Sequence, residues 1–271
     1  MLLDLHVHSP ASLDCEEPAE NTLEAAIERG IEVLCFTDHL DLIYPEHPGK
    51  KMEEAIPNWE KSYAIIEAAK QTFGDRIEIL HGMELAESPQ DPERARHCAT
   101  LPGVDFILGS IHALPERLDF YLIDTFGNLD ACRRTAIDYI EENIRVAELD
   151  CFDALGHFGF YNRYMARHGM YVDVLDYEER VRHLFQILVE NGKGIEVNTS
   201  GLRQELGESL PNLETLKLFR ECGGEIVTTG SDAHRAKHVG LYMAEAQELL
   251  RAAGFRYTTI FRQRKPEFIK L

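Results

Sequence analysis

Seven short runs rich in apolar and β-branched residues alternate with longer stretches of helical character along the whole chain. The runs cover 2–8, 31–39, 77–84, 105–112, 152–157, 194–200 and 225–232, and helices are expected near 21–29, 58–72, 92–100, 129–149, 175–190, 212–221 and 241–252. Strict strand–helix alternation predicts an α/β fold, with a parallel sheet, helices outside it and right-handed crossovers. Periodicity alone leaves open whether that sheet is doubly wound or closed into a barrel. No linker-like run, low-complexity tract or internal repeat divides residues 1–271, so a single domain is expected.

The histidines favour closure. Of twelve, six (His6, His8, His39, His112, His157 and His234) lie at the C-terminal end of a predicted strand or just beyond it. Glu84 and Asp232 occupy equivalent positions. Parallel α/β folds carry their chemistry at this edge. Residues two apart on a strand share a face, so His6 and His8 point together, as do Asp232 and His234 if the strand persists that far. One such histidine would ordinarily be a hydrogen-bonded core or rim residue, but eight donors at corresponding strand ends indicate metal binding. Imidazole and carboxylate without thiolate suit zinc, manganese or iron. Thr37, Gly82, Ser110 and Gly230, each two residues before a polar strand end, are small, which is expected to leave room for ions. His81 has the opposite parity to Glu84 and should face away from it. His47, His97, His168 and His183 fall on loops or helices and are expected in solvent.

Composition narrows the function classes. The net charge is −19, and no basic stripe interrupts it, so nucleic acid is a poor partner. The six cysteines form no CxxC pair and read as reduced thiols. No bilayer-length apolar run appears, and strand character begins almost at Met1, so a cytoplasmic location without membrane contact is expected. There is no GxSxG elbow, P-loop or dinucleotide fingerprint.

The ordered stretches HVHSPASLD, FTDH, GMEL, GSIH, LGH and GSDAH resemble the polymerase and histidinol phosphatase (PHP) superfamily of metal-dependent phosphoesterases. GIEVNTSGLR and the terminal FRQRKPE are similar to its histidinol-phosphate phosphatase branch. The resemblance implies a distorted (β/α)7 TIM-like barrel holding three divalent ions at its mouth. Carried over by motif, His6, His8, Glu84 and Asp232 would hold the first ion. Glu84 would bridge to a second, completed by His112 and His157, and His39, His234 and Asp14 would hold a third. The commoner phosphatase pattern has histidine where this chain has Asp14.

The implied reaction is hydrolysis of a phosphate monoester by metal-activated hydroxide, histidinol phosphate being the expected substrate. Glu84, Asp232 and His234 are the candidate catalytic residues, with Asp232 and His234 the possible acids. Arg163 and Arg203 suit bidentate phosphate contact, and Asn198 and Ser200 are expected to add hydrogen bonds from one strand face. Asp4 and Asp38 are expected to orient imidazoles. The loops after His39 and His112 should form specificity walls. A phosphatase or phosphodiesterase of another small metabolite or nucleotide, and a non-catalytic metal-binding barrel, are the alternatives. The oligomeric state is left open.

Overall fold

In the computed structural model, which describes residues 1–271, seven parallel strands run in the order β1 to β7, with helices between them. The strands are β1 (Leu2–Val7), β2 (Ile31–Asp41), β3 (Glu78–Ala86), β4 (Phe106–Ser110), β5 (Ala154–Leu155), β6 (Gly194–Asn198) and β7 (Val227–Gly230). The sheet curls into a nearly closed barrel. Between β7 and β1 the ladder is reduced to a bridge between Val7 and Ala233 and to bonds from Asp232 N to the His6 carbonyl and from His8 N to the Ala233 carbonyl. This is the distorted (β/α)7 architecture that was expected. Several strands are shorter than the sequence suggests: β5 has two residues, and β6 ends at Asn198.

Helices α1 (Ala19–Glu28), α2 (Ala55–Phe73), α3 (Pro92–Cys98), α4 (Leu129–Ala147), α5 (Tyr161–Met165), α6 (Glu178–Glu190), α7 (Leu213–Glu221) and α8 (Met243–Ala252) complete the frame. Asn128 and Asn212 cap α4 and α7, their side chains accepting from Ala131 N and Thr215 N. No helix is long and apolar enough to cross a membrane.

Alternation sorts the strand residues between two environments. Leu3, Leu5, Val33, Cys35, Leu80, Phe106 and Leu108 pack inside the barrel. Val7, Leu34, Phe36 and Ile79 face outward onto α1 and α2, and Ile195, Val197 and Val227 belong to the larger outer core. In β1 the parity changes part-way. Leu3 and Leu5 face inward and Val7 outward, and the pairing with β2 is irregular between Asp4 and Val7. Such an irregularity re-aims side chains, and here it carries His6 and His8 to the barrel's interior end.

No strand is expected after residue 232, yet β8 (Tyr257–Arg262) and β9 (Lys265–Lys270) form an antiparallel hairpin against the N-terminal end of the barrel. Ile260 and Phe261 join the inner cluster, Phe261 stacking on Phe106 at 5.0 Å. Arg262 pairs bidentately with Glu78, and Arg264 with Asp153 at 2.5 Å. The hairpin therefore closes the end of the barrel opposite the histidines.

Candidate metal centre

Every predicted ligand converges at the C-terminal mouth. Glu84, at the inner end of β3, is 1% exposed and lies at the middle of the cluster. Its Oε1 is 2.7 Å from His157 Nε2 and 3.0 Å from His112 Nε2, and accepts from Ser110 Oγ at 2.8 Å. Its Oε2 is 3.0 Å from His39 Nδ1, 3.3 Å from His6 Nε2 and 3.7 Å from His8 Nε2. Asp232 Oδ1 lies 3.6 Å from His8 Nε2, 3.6 Å from His234 Nδ1 and 3.9 Å from His6 Nε2. Asp14, exposed on the loop after β1, reaches His234 Nε2 at 3.1 Å and His39 Nε2 at 3.6 Å.

Backbone conformation contributes to this convergence. His157 and Asp232 both lie past their strands in the left-handed region, at φ 25° and 55°. Few non-glycine residues adopt it, and strain of this kind gathers at functional sites. Asp232 and His234 are thus presented by a turn, not by a continued strand.

The residues fit divalent cations. Donor atoms lie within 4.8 Å of one another in the groups His6–His8–Asp232, His8–His39–His234 and His39–Glu84–His112. His6 Nε2, His8 Nε2 and His39 Nδ1 are buried without a hydrogen-bond partner. Imidazole nitrogens also face each other, His112 Nε2 to His157 Nε2 and His39 Nε2 to His234 Nε2, both at 3.4 Å. A cation between such lone pairs removes both problems.

The electrostatics agree. Burial alone would lower the pKa of His6, but Glu196, Glu84 and Asp232 outweigh it and raise it well above the ordinary value. Burial is likewise overcome at His39 by Asp41 and Glu84, and at His112 by Glu84 and Asp41. Burial together with the nearby His234 and His39 pushes His8 well down, and burial lowers His157. Against their own burial, Glu84 is held well below the carboxylate range by His112, His6 and His39, and Asp232 by Arg163 and His6. Protons thus gather where cations are favoured.

A cavity of about 440 Å³ opens over this floor. Asp14, Glu84, His112, His157, Asp232 and His234 line it, and Arg163 enters from α5. Arg163 is 8% exposed, pairs with Asp232 Oδ2 at 2.5 Å and stacks over Phe160. The lining also includes Asp41, Glu46, Asp119 and Tyr121, from the two loop regions expected to set specificity. Burial pushes Asp119 up to about 6.

Three predicted substrate-binding residues stand elsewhere. Arg203 donates to the carbonyls of Ser231 and Asp232 at 2.5 and 2.7 Å, bracing the turn that carries Asp232, and does not line the cavity. Asn198 and Ser200 do not share a strand face, because β6 ends at Asn198 and Ser200 begins a 3-10 turn. Both are fully buried beneath the cavity and bonded to each other, Ser200 Oγ donating to Asn198 Oδ1 at 2.5 Å.

The expected orienting residues divide. Asp38 accepts from Ser9 N, Ser9 Oγ and Ser12 Oγ, and Ser12 Oγ is 3.0 Å from His8 Nδ1, so Asp38 acts on His8 through Ser12. Asp4 touches no imidazole and instead accepts from Ser231 N, Ser231 Oγ and Gly240 N. His81 does face away, stacked on Trp59 at 4.0 Å and bonded to Ser62.

Sequence reasoning missed Glu196, whose carboxylate lies 2.8 Å from His6 Nδ1, and the group Asp41–Glu87–His112 behind the centre. Glu87 accepts from His112 N and Ala113 N and fixes that loop. The small residues serve neighbouring protein atoms. A Cβ on Gly230 would stand 2.3 Å from Glu196 Oε1 and from His6 Cβ, and one on Gly82 would stand 2.5 Å from the Phe106 carbonyl oxygen.

The family model described as the PHP domain matches residues 4–200. The chain belongs to the PHP family. Among its relatives, the histidinol-phosphatase of Lactococcus lactis is 28% identical over 268 residues, covering 96% of this chain and 94% of its own. That of Saccharomyces cerevisiae is 24% identical over 295 residues, covering 88% and 85%. The crystal structure of the L. lactis histidinol phosphate phosphatase, complexed with zinc, L-histidinol and phosphate, matches with TM-score 0.80 at 26% identity and covers 98% of each chain. The putative histidinol phosphatase of Listeria monocytogenes shares the fold at TM-score 0.73 and 18% identity, covering 89% of this chain and 98% of its own. The PHP barrel is thus common to both structures.

Proposed function

We propose that this PHP protein hydrolyses a phosphate monoester, histidinol phosphate to histidinol and phosphate. The observation that carries the reading is a single cavity joining the imidazole–carboxylate cluster, a buried arginine and an acidic wall. The L. lactis enzyme complexed with zinc, histidinol and phosphate supports it.

His6, His8, Glu84 and Asp232 would hold a first divalent ion. Glu84, His112 and His157 would hold a second, and His39, His234 and Asp14 a third. Zinc, manganese or iron suits these donors. Such ions supply the chemistry of the attack, activating water near neutral pH and neutralising phosphoryl charge. Arg163 binds and orients the phosphoryl group, its geometry set by Asp232, Ser200 and Phe160. Arg203 acts at one remove, holding the Asp232 turn in place. Asp232 is held ionised and cannot serve as the acid, so the leaving alkoxide would take its proton from solvent at the cavity edge beside His234. Glu46 and Asp119 face the substrate's cationic end, Asp41 being turned to His39 and His112, and Tyr121, Phe160 and Tyr164 offer it aromatic surface. A cytoplasmic enzyme in one domain is the simplest setting for this reaction.

The test is phosphate release by the metal-loaded protein from histidinol phosphate and from p-nitrophenyl phosphate. A kcat/KM well above the p-nitrophenyl value is expected, lost with a chelator and restored by Mn²⁺ or Zn²⁺. Equally poor turnover of both esters defeats the histidinol assignment, and bound metal without any turnover defeats catalysis itself.

A further inference from the structure

Glu196 lies inside the barrel on β6, 1% exposed, with no lysine or arginine against it. One oxygen, Oε1, is 2.8 Å from His6 Nδ1. The other, Oε2, accepts from His157 N at 2.8 Å and from Asn198 Nδ2 at 3.1 Å. One carboxylate therefore touches the first strand's imidazole and the strained backbone of another predicted ligand.

From Arg163 to Glu196 the bond directions in this network are fixed from its far end, and the longer approach of Asn198 Nδ2 to His6 Nδ1, 3.4 Å, yields to the 2.8 Å contact with the carboxylate. Arg163 can only donate, so Ser200 Oγ accepts from it and turns its own hydrogen to Asn198 Oδ1. Ser200 N donates to the same oxygen at 3.0 Å, which settles the amide orientation of Asn198. Asn198 must then present its NH2 group to Glu196, beside the His157 N–H. Only an acceptor answers those donors, and only a carboxylate keeps a second acceptor for His6. Nδ1 of His6 accordingly carries hydrogen whether or not the ring is charged, and Nε2, the nitrogen left for an ion once its own proton is displaced, faces Glu84 and Asp232.

We infer that Glu196 is a positioning residue that fixes the metal-binding tautomer of His6 and ties that imidazole to the backbone of His157. Gly230 leaves the space this arrangement occupies, since a Cβ there would overlap both Glu196 and His6. Carboxylates commonly serve metal-bound histidines in this way. The inference rests on the metal reading above.

Glu196→Gln is nearly isosteric and tests it. If the amide oxygen serves His157 N, the amide NH2 must face His6 Nδ1, and the His6 hydrogen moves to Nε2, where the ion would bind. If the amide is flipped, its NH2 meets the donors of His157 and Asn198. In both orientations the network fails. Zn²⁺ affinity, read by competition with a chromophoric chelator, should fall roughly 10- to 100-fold for one site, while the far-ultraviolet dichroism of the metal-free protein stays unchanged. Glu196→Asp, which keeps the charge, should recover part of that loss.

In the Zn²⁺-loaded wild type, long-range ¹H–¹⁵N spectra of labelled histidines should show His6, assigned by His6→Gln, with its hydrogen on Nδ1. That measurement stands even if Glu196→Gln does not fold. Wild-type Zn²⁺ affinity in a folded Glu196→Gln protein, or a His6 hydrogen on Nε2, overturns the inference. A wild-type chain that takes up no Zn²⁺ would instead overturn the metal reading.

Discussion

Replacing Arg163 with methionine separates the two charges that hold Asp232. The guanidinium is 8% exposed, 2.5 Å from Asp232 Oδ2 and stacked on Phe160. Methionine keeps much of the apolar contact and removes the charge. Breaking a buried ion pair by deleting one partner costs about 3–5 kcal/mol, because the remaining charge stays buried. Asp232 keeps His6, His8 and His234 within 3.9 Å, which favours the lower end of that range. At about 2–4 °C per kcal/mol for a chain of this size, a loss of about 3 kcal/mol lowers the melting temperature of the metal-free protein by roughly 6–12 °C. Zinc in the first site would supply a cation to the same carboxylate, so the loss in Zn²⁺-saturated protein should be less than half as large. Loss of a preorganised contact to developing charge should lower kcat/KM for histidinol phosphate by about 10²–10³-fold. Calorimetric scans with chelator and with Zn²⁺, paired with a phosphate-release assay, decide the matter. Equal destabilisation in both scans, with unchanged kcat/KM, would refute the reasoning.

Two further substitutions probe the mouth. Asp14→His replaces an exposed carboxylate shared by His39 and His234 with a third imidazole. It should tighten Zn²⁺ at the weakest site, seen by calorimetric titration as a stronger last binding step, and an unchanged step would remove Asp14 from the ligand set. Asp119→Asn should raise KM for histidinol phosphate by about tenfold, the equivalent of 1.4 kcal/mol. It should leave p-nitrophenyl phosphate unaffected, since that ester has no cation to recognise, and an equal effect on both would rule out the acidic wall as its partner.

The eight donors at strand ends were legible because a parallel barrel gathers its strand ends into one mouth, so position along each run carried the information. Glu196 was harder to see. It lies mid-strand in GIEVN, where a carboxylate between buried isoleucine and valine was the available signal, and its partner His6 is 190 residues away. Asn198 and Ser200 were picked out by the same parity argument, which failed when the strand stopped and the chain turned. The C-terminal hairpin escaped for a different reason. Its two-residue turn is Gln263–Arg264, both left-handed at φ 51° and 65°, where such turns ordinarily show Asn or Gly. Asp105 holds the turn instead, accepting from Gln263 N through its carboxylate and from Arg264 N through its carbonyl. A turn stabilised by a residue far away in the sequence, just ahead of β4, leaves no local signal.

The charges of the centre also fix how the metal-free protein should respond to pH. His6, His39 and His112 have folded pKa values raised well above their unfolded ones. Their stabilising contribution is complete below the unfolded value of about 6.5 and is lost as pH rises through the folded values. Glu84 and Asp232 are depressed, so theirs is complete above about 4.3 and is lost as pH falls. His8 and His157 are lowered and cost stability below about 6.5, which trims the acid side of this window without moving its alkaline edge. Above about pH 6.5, then, the chelated protein should become less stable. Metal binding must displace the protons held by these same imidazoles, so Zn²⁺ gains affinity as pH rises. Melting temperatures measured with chelator and with Zn²⁺ should diverge steadily from pH 6.5 to 8.5. Curves that stay parallel across that range would mean that protons and metal do not compete for these side chains.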